Sequence, residues 1–180
     1  LSIDLTNPDL DCEDDPVPRD TIALERTRFV RDAVAYERVK VRNYGSARAR
    51  FRIDVGFACD FRDLFEVRGM TRRARGKVSA RVIHGAAVEF TYAGLDAIDR
   101  VTAITFGPEP VSLTVTRASW LVDLGPGEQT VLSAEVACGE GRPATPGRFL
   151  VALHGLRQER RTLCAGAAQA SSSNELFNEV

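Results

Sequence analysis

The 180-residue sequence has no long apolar run and no excess of charge of one sign. No apolar stretch approaches the ~20 residues that cross a bilayer, and no signal peptide opens the chain. Lys plus Arg number 24 and Asp plus Glu number 25, and this balance argues against a nucleic-acid binder, which usually carries a clear basic excess. We therefore expect a globular protein with neither a nucleic-acid nor a membrane partner.

Cysteine and histidine are scarce. The six residues are spread along the chain: Cys12, Cys59, Cys138, Cys164, His84 and His154. Because zinc ligands usually come in closely spaced pairs, we expect no metal site, and no cofactor motif is present. Cys59 and Cys138 lie in strand-like segments, which favours buried thiols of a cytoplasmic protein, while two disulfides stay open as an alternative.

The dominant pattern is the period-two alternation of β-strands. In Ala49–Phe57, five apolar residues face one way and the polar residues between them face the other. Weaker alternation covers Thr21–Val30, Ala33–Arg42, Ala87–Tyr92, Val101–Phe106, Val111–Leu124 and Thr130–Cys138. Short turn signals separate these segments, with no long helix between them. The pattern predicts an all-β protein, a large antiparallel β-sandwich.

One pair of segments predicts a specific contact. Ala33–Arg42 and Ala49–Phe57 flank the turn signal "NYGSAR" and are typical of a hairpin. In that hairpin Arg50 and Arg52 would pair with Glu37 on the solvent-facing side.

The character of the sequence changes after Cys138. The Gly/Pro-rich "GEGRPATPG" indicates a domain edge. Beyond it, apolar residues at helical spacing from Phe149 to Leu163 predict a short amphipathic helix, and Ser173 or Asn174 would cap a further helix. We expect a sandwich over residues 1–143, a linker with a short helix over 144–172, and the truncated start of a helical domain over 173–180. The first residue is Leu1, so we expect a piece of a longer protein, although a removed N-terminal segment would look the same.

The stretch Asn7–Asp20 carries six acids and three prolines. Clustered carboxylates suit calcium, but the spacing does not match an EF-hand loop. A proline-stiffened connection is the favoured interpretation.

The most unusual stretch is "ACDFRDLFEVRGMTRRARGK", where alternation stops and charges crowd together. The acids Asp60, Asp63 and Glu66 are spaced three apart, which predicts a helical turn ending near Gly69. Uncompensated acids would repel one another, so we expect pairing with basic residues, namely Arg62, Arg68 or Arg72. Two interpretations stay open: a structural clamp, or a loop facing a partner domain or ligand. The basic run Arg68–Arg81 is interpreted as a solvated loop rather than as an anion site.

Two motifs resemble a known family. "DFRDLFEVRGMTRRARG" and "YAGLDAIDRVTAITFGPEP" closely resemble the N-terminal domain of bacterial glycogen debranching enzymes of the amylo-α-1,6-glucosidase type. "IDLTNPDL", "DTIALERTRFV" and "SSNELFNEV" are similar to the same family, so that the resemblance spans nearly the whole chain. The segment that usually precedes "LTNPDL" in the family is missing here.

The resemblance implies a supersandwich domain ahead of an (α/α)6 barrel in the same polypeptide. The barrel would supply the carboxylates that hydrolyse α-1,6 linkages in an α-glucan or oligosaccharide. The sequence offers no catalytic residue of its own. The candidate domain-interface or substrate-proximal residues are Asp60, Phe61, Asp63, Phe65, Glu66 and Arg68. The candidate sugar contacts are Tyr92, Asp96 and Arg100.

An alternative function is an independent carbohydrate-binding module. Such modules stack sugars on exposed aromatic rings, and the candidates are Trp120, Tyr92, Tyr36 and Tyr44. Trp120 alternates in register with Ala118 and Val122, which predicts a core position instead. A secreted adhesive sandwich fits less well, because neither a signal peptide nor disulfide spacing is evident.

Overall fold

The computed structural model describes residues 1–12, 16–139, 148–166 and Ser173. Its elements, in chain order, are β1 (Ser2–Thr6), β2 (Ile22–Arg31), β3 (Val34–Asn43), β4 (Ala49–Gly56), α1 (Leu64–Val67), β5 (Lys77–Ile83), β6 (Ala87–Ala93), β7 (Asp99–Gly107), β8 (Ser112–Leu113), β9 (Arg117–Leu124), β10 (Gln129–Cys138) and α2 (Arg148–Ala165).

The described strands form two antiparallel sheets. Seven strands run in the order β1-β2-β3-β10-β7-β6-β5, and three run in the order β4-β9-β8. The sheets share a core, which confirms the predicted antiparallel sandwich with a short C-terminal helix. The sequence pattern missed β1 and β5. Strand β5 lies in the basic run interpreted as a solvated loop, and that interpretation is wrong from Lys77 onward. Val78, Ala80 and Val82 alternate with polar residues, but the surrounding basic residues favour a solvated loop, and every residue of the strand except the last is exposed.

The predicted hairpin is wrong, because β3 and β4 belong to different sheets. Strand β3 pairs with β2 and β10, whereas β4 pairs with β9. The side chain of Asn43, only 1 % exposed, donates to the carbonyls of Ala47 (2.8 Å) and Leu124 (3.0 Å). These bonds satisfy backbone groups where the chain crosses between the two sheets. The expected pairing with Glu37 is also wrong: Arg50 pairs with Asp123 and Arg52 with Asp54.

The core lies between the two sheets. Strand β4 shows the predicted alternation, with its apolar residues turned inward and its polar residues exposed. Trp120 is 4 % exposed, packs edge-on against Phe106 at 5.7 Å, and donates its indole N–H to the carbonyl of Pro108 at 2.9 Å. The predicted core position of Trp120 is confirmed. A buried indole contributes both apolar burial and a satisfied polar group.

The acidic connection between β1 and β2 is closed by backbone and side-chain hydrogen bonds. Leu10 and Val17 exchange backbone hydrogen bonds of 2.9 and 3.0 Å. The buried amide of Asn7 donates to the carbonyl of Pro18 at 2.8 Å and accepts from the backbone N–H of Ile22 at 2.7 Å. The described part of this connection is therefore held by its own hydrogen bonds. In the described residues, no group of three or more potential metal ligands occurs.

The chain divides into two compact units, Leu1–Phe149 and Leu150–Val180. Helix α2 covers the helix predicted from Phe149 to Leu163. The predicted cap at Ser173 or Asn174 and the Gly/Pro-rich break fall almost wholly outside the described residues, and the proposed domain boundaries stay predictions. None of the described helices is long and apolar enough to span a membrane.

The cysteines are all free. Cys138 is exposed, so its prediction as a buried thiol is wrong, and Cys59 is only partly buried. Cys138 is the last residue of β10, where the strand leaves the core.

Candidate functional site

The charged segment forms a compact loop, residues 57–76, which we call the clamp loop. Its single helical turn, α1, begins with a capping box. Asp63 accepts from the backbone N–H of Glu66 at 2.9 Å, and the carboxylate of Glu66 accepts from the backbone N–H of Asp63 at 3.2 Å. The sequence contains the signal for this reciprocal role, an acid followed three residues later by Glu, although the spacing alone predicts only a helical turn.

The turn ends as predicted at Gly69. This glycine has φ +97°, and its N–H donates to the carbonyl of Glu66 at 3.1 Å. The N–H of Met70 donates to the carbonyl of Phe65 at 2.9 Å. This pair of bonds is a Schellman motif, which favours glycine because a side chain is strained at positive φ. Caps at both ends compensate for a helix too short to be stable alone.

Ion pairs close the clamp loop. Arg72 pairs with Asp63 and lies 3.7 Å from Glu66. Arg75 lies 3.1 Å from Glu66 and also donates a hydrogen bond to the backbone carbonyl of Asp60 at 2.7 Å. The side chain of Glu66 is only 10 % exposed, so it sits at the centre of the network.

The predicted pairing partners are partly confirmed. Arg72 pairs as expected, and Arg62 lies 3.4 Å from Asp60. Arg68 makes no side-chain ion pair with any residue that the structure describes. Its backbone caps α1 instead. Arg75 was missed as a partner, because the loop contains several arginines and the sequence does not show which of them contacts the acids.

The clamp loop is fixed to the seven-stranded sheet at Tyr92. The ring of Phe61 stacks on that of Tyr92, with centroids 5.4 Å apart and an interplanar angle of 19°. The backbone N–H of Gly76 donates to the Tyr92 hydroxyl at 2.9 Å. A Cβ on Gly76 would overlap the carbonyl oxygen of Ala93, so the close approach requires glycine.

The predicted sugar-contact residues adjoin the clamp loop. Tyr92 and Arg100 are directly paired across β6 and β7. Arg100 donates two hydrogen bonds to Asp96, of 2.7 and 3.1 Å, and these lower the pKa of Asp96 to about 2. The structure therefore brings the two predicted groups together at one end of the sandwich. Tyr92 is buried, its hydroxyl accepts from Gly76, and one face of its ring is covered by Phe61. Sugar contact by Tyr92, Asp96 and Arg100 stays a prediction.

Apolar side chains are exposed at the same end of the sandwich. Lys77, Ala93 and Asp99 are aligned across β5, β6 and β7, so the clamp loop and the turn between β6 and β7 lie side by side. Phe57 and Phe61 of the clamp loop are partly buried, whereas six other large apolar residues of these two segments are between 54 and 71 % exposed. We call them the apolar end surface: Leu64, Phe65, Val67, Met70, Leu95 and Ile98. Several large apolar side chains exposed at one end of a domain commonly indicate an interaction site.

A second feature is an apolar cleft of about 330 Å³ between the sheets, bordered by Phe57, Cys59 and Trp120. Glu37 lies at its edge, between Arg26 at 2.5 Å and Arg28 at 2.6 Å. Burial raises the pKa of Glu37, but the hydrogen bonds from the two arginines outweigh this effect and leave the pKa below its usual value. A carboxylate held in the charged form is unsuited to donate a proton as a general acid.

The aromatic candidates of the binding-module interpretation are mostly unavailable for sugar stacking. Trp120, Tyr36 and Tyr92 are buried, and Tyr36 stacks on Phe29. Tyr44 differs, being 63 % exposed.

The fold and the clamp loop define a two-layer antiparallel sandwich with an apolar surface at one end. Residues 1–135 match the family described as the N-terminal domain of (some) glycogen debranching enzymes, and the chain belongs to this family. A search of curated proteins gave no match.

Solved structures similar to the chain include a putative kojibiose phosphorylase from the human microbiome (TM-score 0.49, 10 % identity, covering 78 % of this chain and 19 % of that one). A polysaccharide lyase is also similar (TM-score 0.43, 14 % identity, covering 68 % of this chain and 21 % of that one). The chain thus spans about a fifth of the length of each.

Proposed function

We propose that this chain is a non-catalytic N-terminal β-sandwich domain that packs against and orients the catalytic domain of a glycogen-debranching-type glycoside hydrolase. The proposed partner is an (α/α)6 barrel in the same polypeptide, and the proposed substrate is an α-glucan with α-1,6 branches. The six clamp-loop candidates Asp60, Phe61, Asp63, Phe65, Glu66 and Arg68 would lie at or beside this contact, and Tyr92, Asp96 and Arg100 would help to shape the glucan pocket. The proposed compartment is the cytoplasm, which free cysteines suit.

The observation that carries this proposal is the apolar end surface, presented by a loop that is capped at both ends of its helical turn and closed by ion pairs. Interfaces are commonly built from apolar and aromatic side chains surrounded by polar ones. The clamp loop combines both kinds of residue: Phe65 and Met70 are exposed, and the neighbouring Glu66 is held by ion pairs with Arg72 and Arg75. A loop already fixed in its bound shape loses little conformational entropy on docking.

The arrangement of the acids supports a non-catalytic role. A glycosidase places two carboxyl groups on opposite sides of the scissile bond, about 5–10 Å apart. Asp63 and Glu66 instead share Arg72 and cap the same helical turn. Both acids are thus engaged by contacts within the loop itself.

Hydrogen exchange tests the proposal by comparing the chain alone with a polypeptide in which the barrel follows it. We expect the amides of residues 64–70 to exchange at least tenfold more slowly in the two-domain polypeptide, because docking would exclude water from the loop. Amides near Leu121 serve as the control, since this residue is 71 % exposed in the other sheet. Equal exchange of residues 64–70 in both proteins would refute the proposal.

A matched pair of variants gives an independent test in the two-domain polypeptide. Phe65→Asp places a charge in the proposed interface, and Leu121→Asp places one on an exposed strand residue elsewhere. If Phe65 is a buried interface anchor, its substitution costs about 2 kcal/mol or more and lowers the unfolding temperature of the sandwich by about 4–8 °C. Leu121→Asp should change it by less than half as much. Equal effects of the two substitutions would contradict the assignment.

A further inference from the structure

A shallow polar hollow lies on the face of the seven-stranded sheet that points away from the three-stranded sheet. Val41 is fully buried in the core, so its neighbours Lys40 and Arg42 point to the opposite face. Asp4, Glu25 and Lys40 are aligned across β1, β2 and β3, and so are Thr6, Ala23 and Arg42 in the next row. Aligned residues share a face of the sheet. Ala23, the small residue in the middle of its row, lies in a hollow of about 360 Å³.

Tyr44 forms one wall of this hollow and is held in place by its backbone. Its N–H donates to the carbonyl of Thr21 at 2.8 Å. The neighbouring Asn43 side chain accepts from the N–H of Gly45 at 2.8 Å and bonds to the carbonyls of two further residues, as described above. The guanidinium of Arg42 lies 4.7 Å from the centroid of the Tyr44 ring. The ring is thus positioned before any ligand arrives, yet it stays 63 % exposed.

Unused hydrogen-bonding groups line the same hollow. Glu25 and Lys40 pair with each other at 3.2 Å. In contrast, neither Asp4 nor the guanidinium of Arg42 has a hydrogen-bond or ion-pair partner among the residues that the structure describes. A carboxylate accepts several hydrogen bonds and a guanidinium donates up to five. Two acids and two bases cancel in formal charge, so the hollow has no net attraction for an ion.

We propose that this hollow is a binding subsite for a neutral hexopyranose oligosaccharide. The C–H face of one pyranose ring would lie on the face of the Tyr44 ring that Arg42 does not cover. The hydroxyl groups of an adjoining sugar unit would donate to Asp4 and accept from the Nη groups of Arg42, since its Nε is buried. The volume is at the lower end of the range for ligand sites, about 300–1,000 Å³, which suits one or two sugar units. Because the subsite has one aromatic wall and open sides, it binds weakly. It would hold an oligosaccharide in place and would not cleave it.

The subsite lies at the opposite end of the seven-stranded sheet from the apolar end surface. Arg42 is aligned with Gln129 at the start of β10, and β10 in turn pairs with the Gly107 end of β7. The clamp loop adjoins the Asp99 end of β7. A domain docked on the apolar end surface would therefore leave Tyr44 accessible. This inference goes beyond the proposed function, and its test concerns different residues.

The test is an NMR titration of the ¹⁵N-labelled 180-residue chain with maltohexaose and, separately, with cellohexaose. We expect at least one sugar to shift the amide signals of Thr6, Arg42 and Tyr44. Tyr44→Ala should weaken that binding at least tenfold, whereas Tyr44→Phe should retain it because the ring remains. Tyr44→Ala is expected to fold, since the exposed side chain is removed and the backbone hydrogen bond is kept.

Leu121→Ala is the control, because Leu121 is an exposed residue, 71 %, in the other sheet and does not line the hollow. This substitution should leave the affinity unchanged. The proposal is overturned if neither sugar shifts the three amides, if Tyr44→Ala binds as well as the unaltered chain, or if Leu121→Ala abolishes binding. None of these outcomes depends on whether the clamp loop docks a second domain.

Discussion

Replacing Arg75 by alanine should loosen the clamp loop. The guanidinium makes two charge-assisted contacts, one to the carboxylate of Glu66 at 3.1 Å and one to the carbonyl of Asp60 at 2.7 Å. A hydrogen bond to a charged group contributes about 1.5–3 kcal/mol where water is excluded. The Arg75 side chain is 37 % exposed, so solvent screening reduces this contribution. We expect Arg75→Ala to cost about 1–2 kcal/mol of local stability, equivalent to a 5–30-fold larger open population.

The assay is amide hydrogen exchange of the clamp loop in the 180-residue chain. The N–H groups of Glu66, Gly69 and Met70 are the reporters, because each donates within the capped turn. Arg73→Ala is the matched control: Arg73 lies in the same loop and makes no side-chain hydrogen bond or ion pair with any described residue. We expect Arg73→Ala to change exchange less than threefold. If the two substitutions accelerate exchange equally, the clamp loop is not held by the Arg75 contacts and the reasoning fails.

Three further predictions concern the sandwich itself. Trp120→Ala should lower the free energy of unfolding in urea by about 3–5 kcal/mol, because it leaves a large core cavity, and a loss below about 1 kcal/mol would contradict the core assignment. Gly76→Ala should cost about 1–3 kcal/mol through overlap with the backbone of β6, whereas Gly56→Ala, whose added Cβ meets no atom within 4 Å, should cost clearly less in the same assay. Asp96 has a pKa lowered to about 2 from 3.8, so its stabilising effect is complete above about pH 4 and disappears as the pH falls through 2. The stability difference between the unaltered chain and Asp96→Asn should therefore shrink over that interval, and a difference independent of pH would refute the ion-pair account.

The part of the fold that depends on local alternation could be predicted from the sequence. The alternation in Ala49–Phe57 and around Trp120 arises from side chains that face the core on every second residue, and the structure has both. The turn ending at Gly69 was also predicted, since a glycine after a helical turn satisfies a local backbone requirement. Such features depend on neighbours in the sequence.

The parts that failed depend on pairing between distant segments. "NYGSAR" has the composition of a hairpin turn, yet the Asn43 amide bonds to the carbonyl of Leu124, 81 residues away, and the chain changes sheets there. Nothing in the alternation of β3 and β4 distinguishes these two outcomes, because both strands bury one face in either case. The sequence likewise indicated that the three acids of the clamp loop need basic partners. It did not indicate that Arg75 is one of these partners.

The exposure of the apolar end surface is difficult to explain by folding alone. Phe65 and Met70 could contribute to stability if they turned into the core, but the capping box and the Schellman motif fix α1 so that both point to solvent. The ion pairs of Glu66 lose hydration as they gain attraction, so the network as a whole adds less stability than the removal of one partner costs. Its clearest effect is to give the loop one shape. A fixed shape benefits a surface that must fit another surface, because the entropy of ordering the loop is lost during folding and not again during docking. The apolar residues and the ion pairs therefore act together: Glu66 and Arg75 fix the position at which Phe65 would meet the proposed catalytic domain.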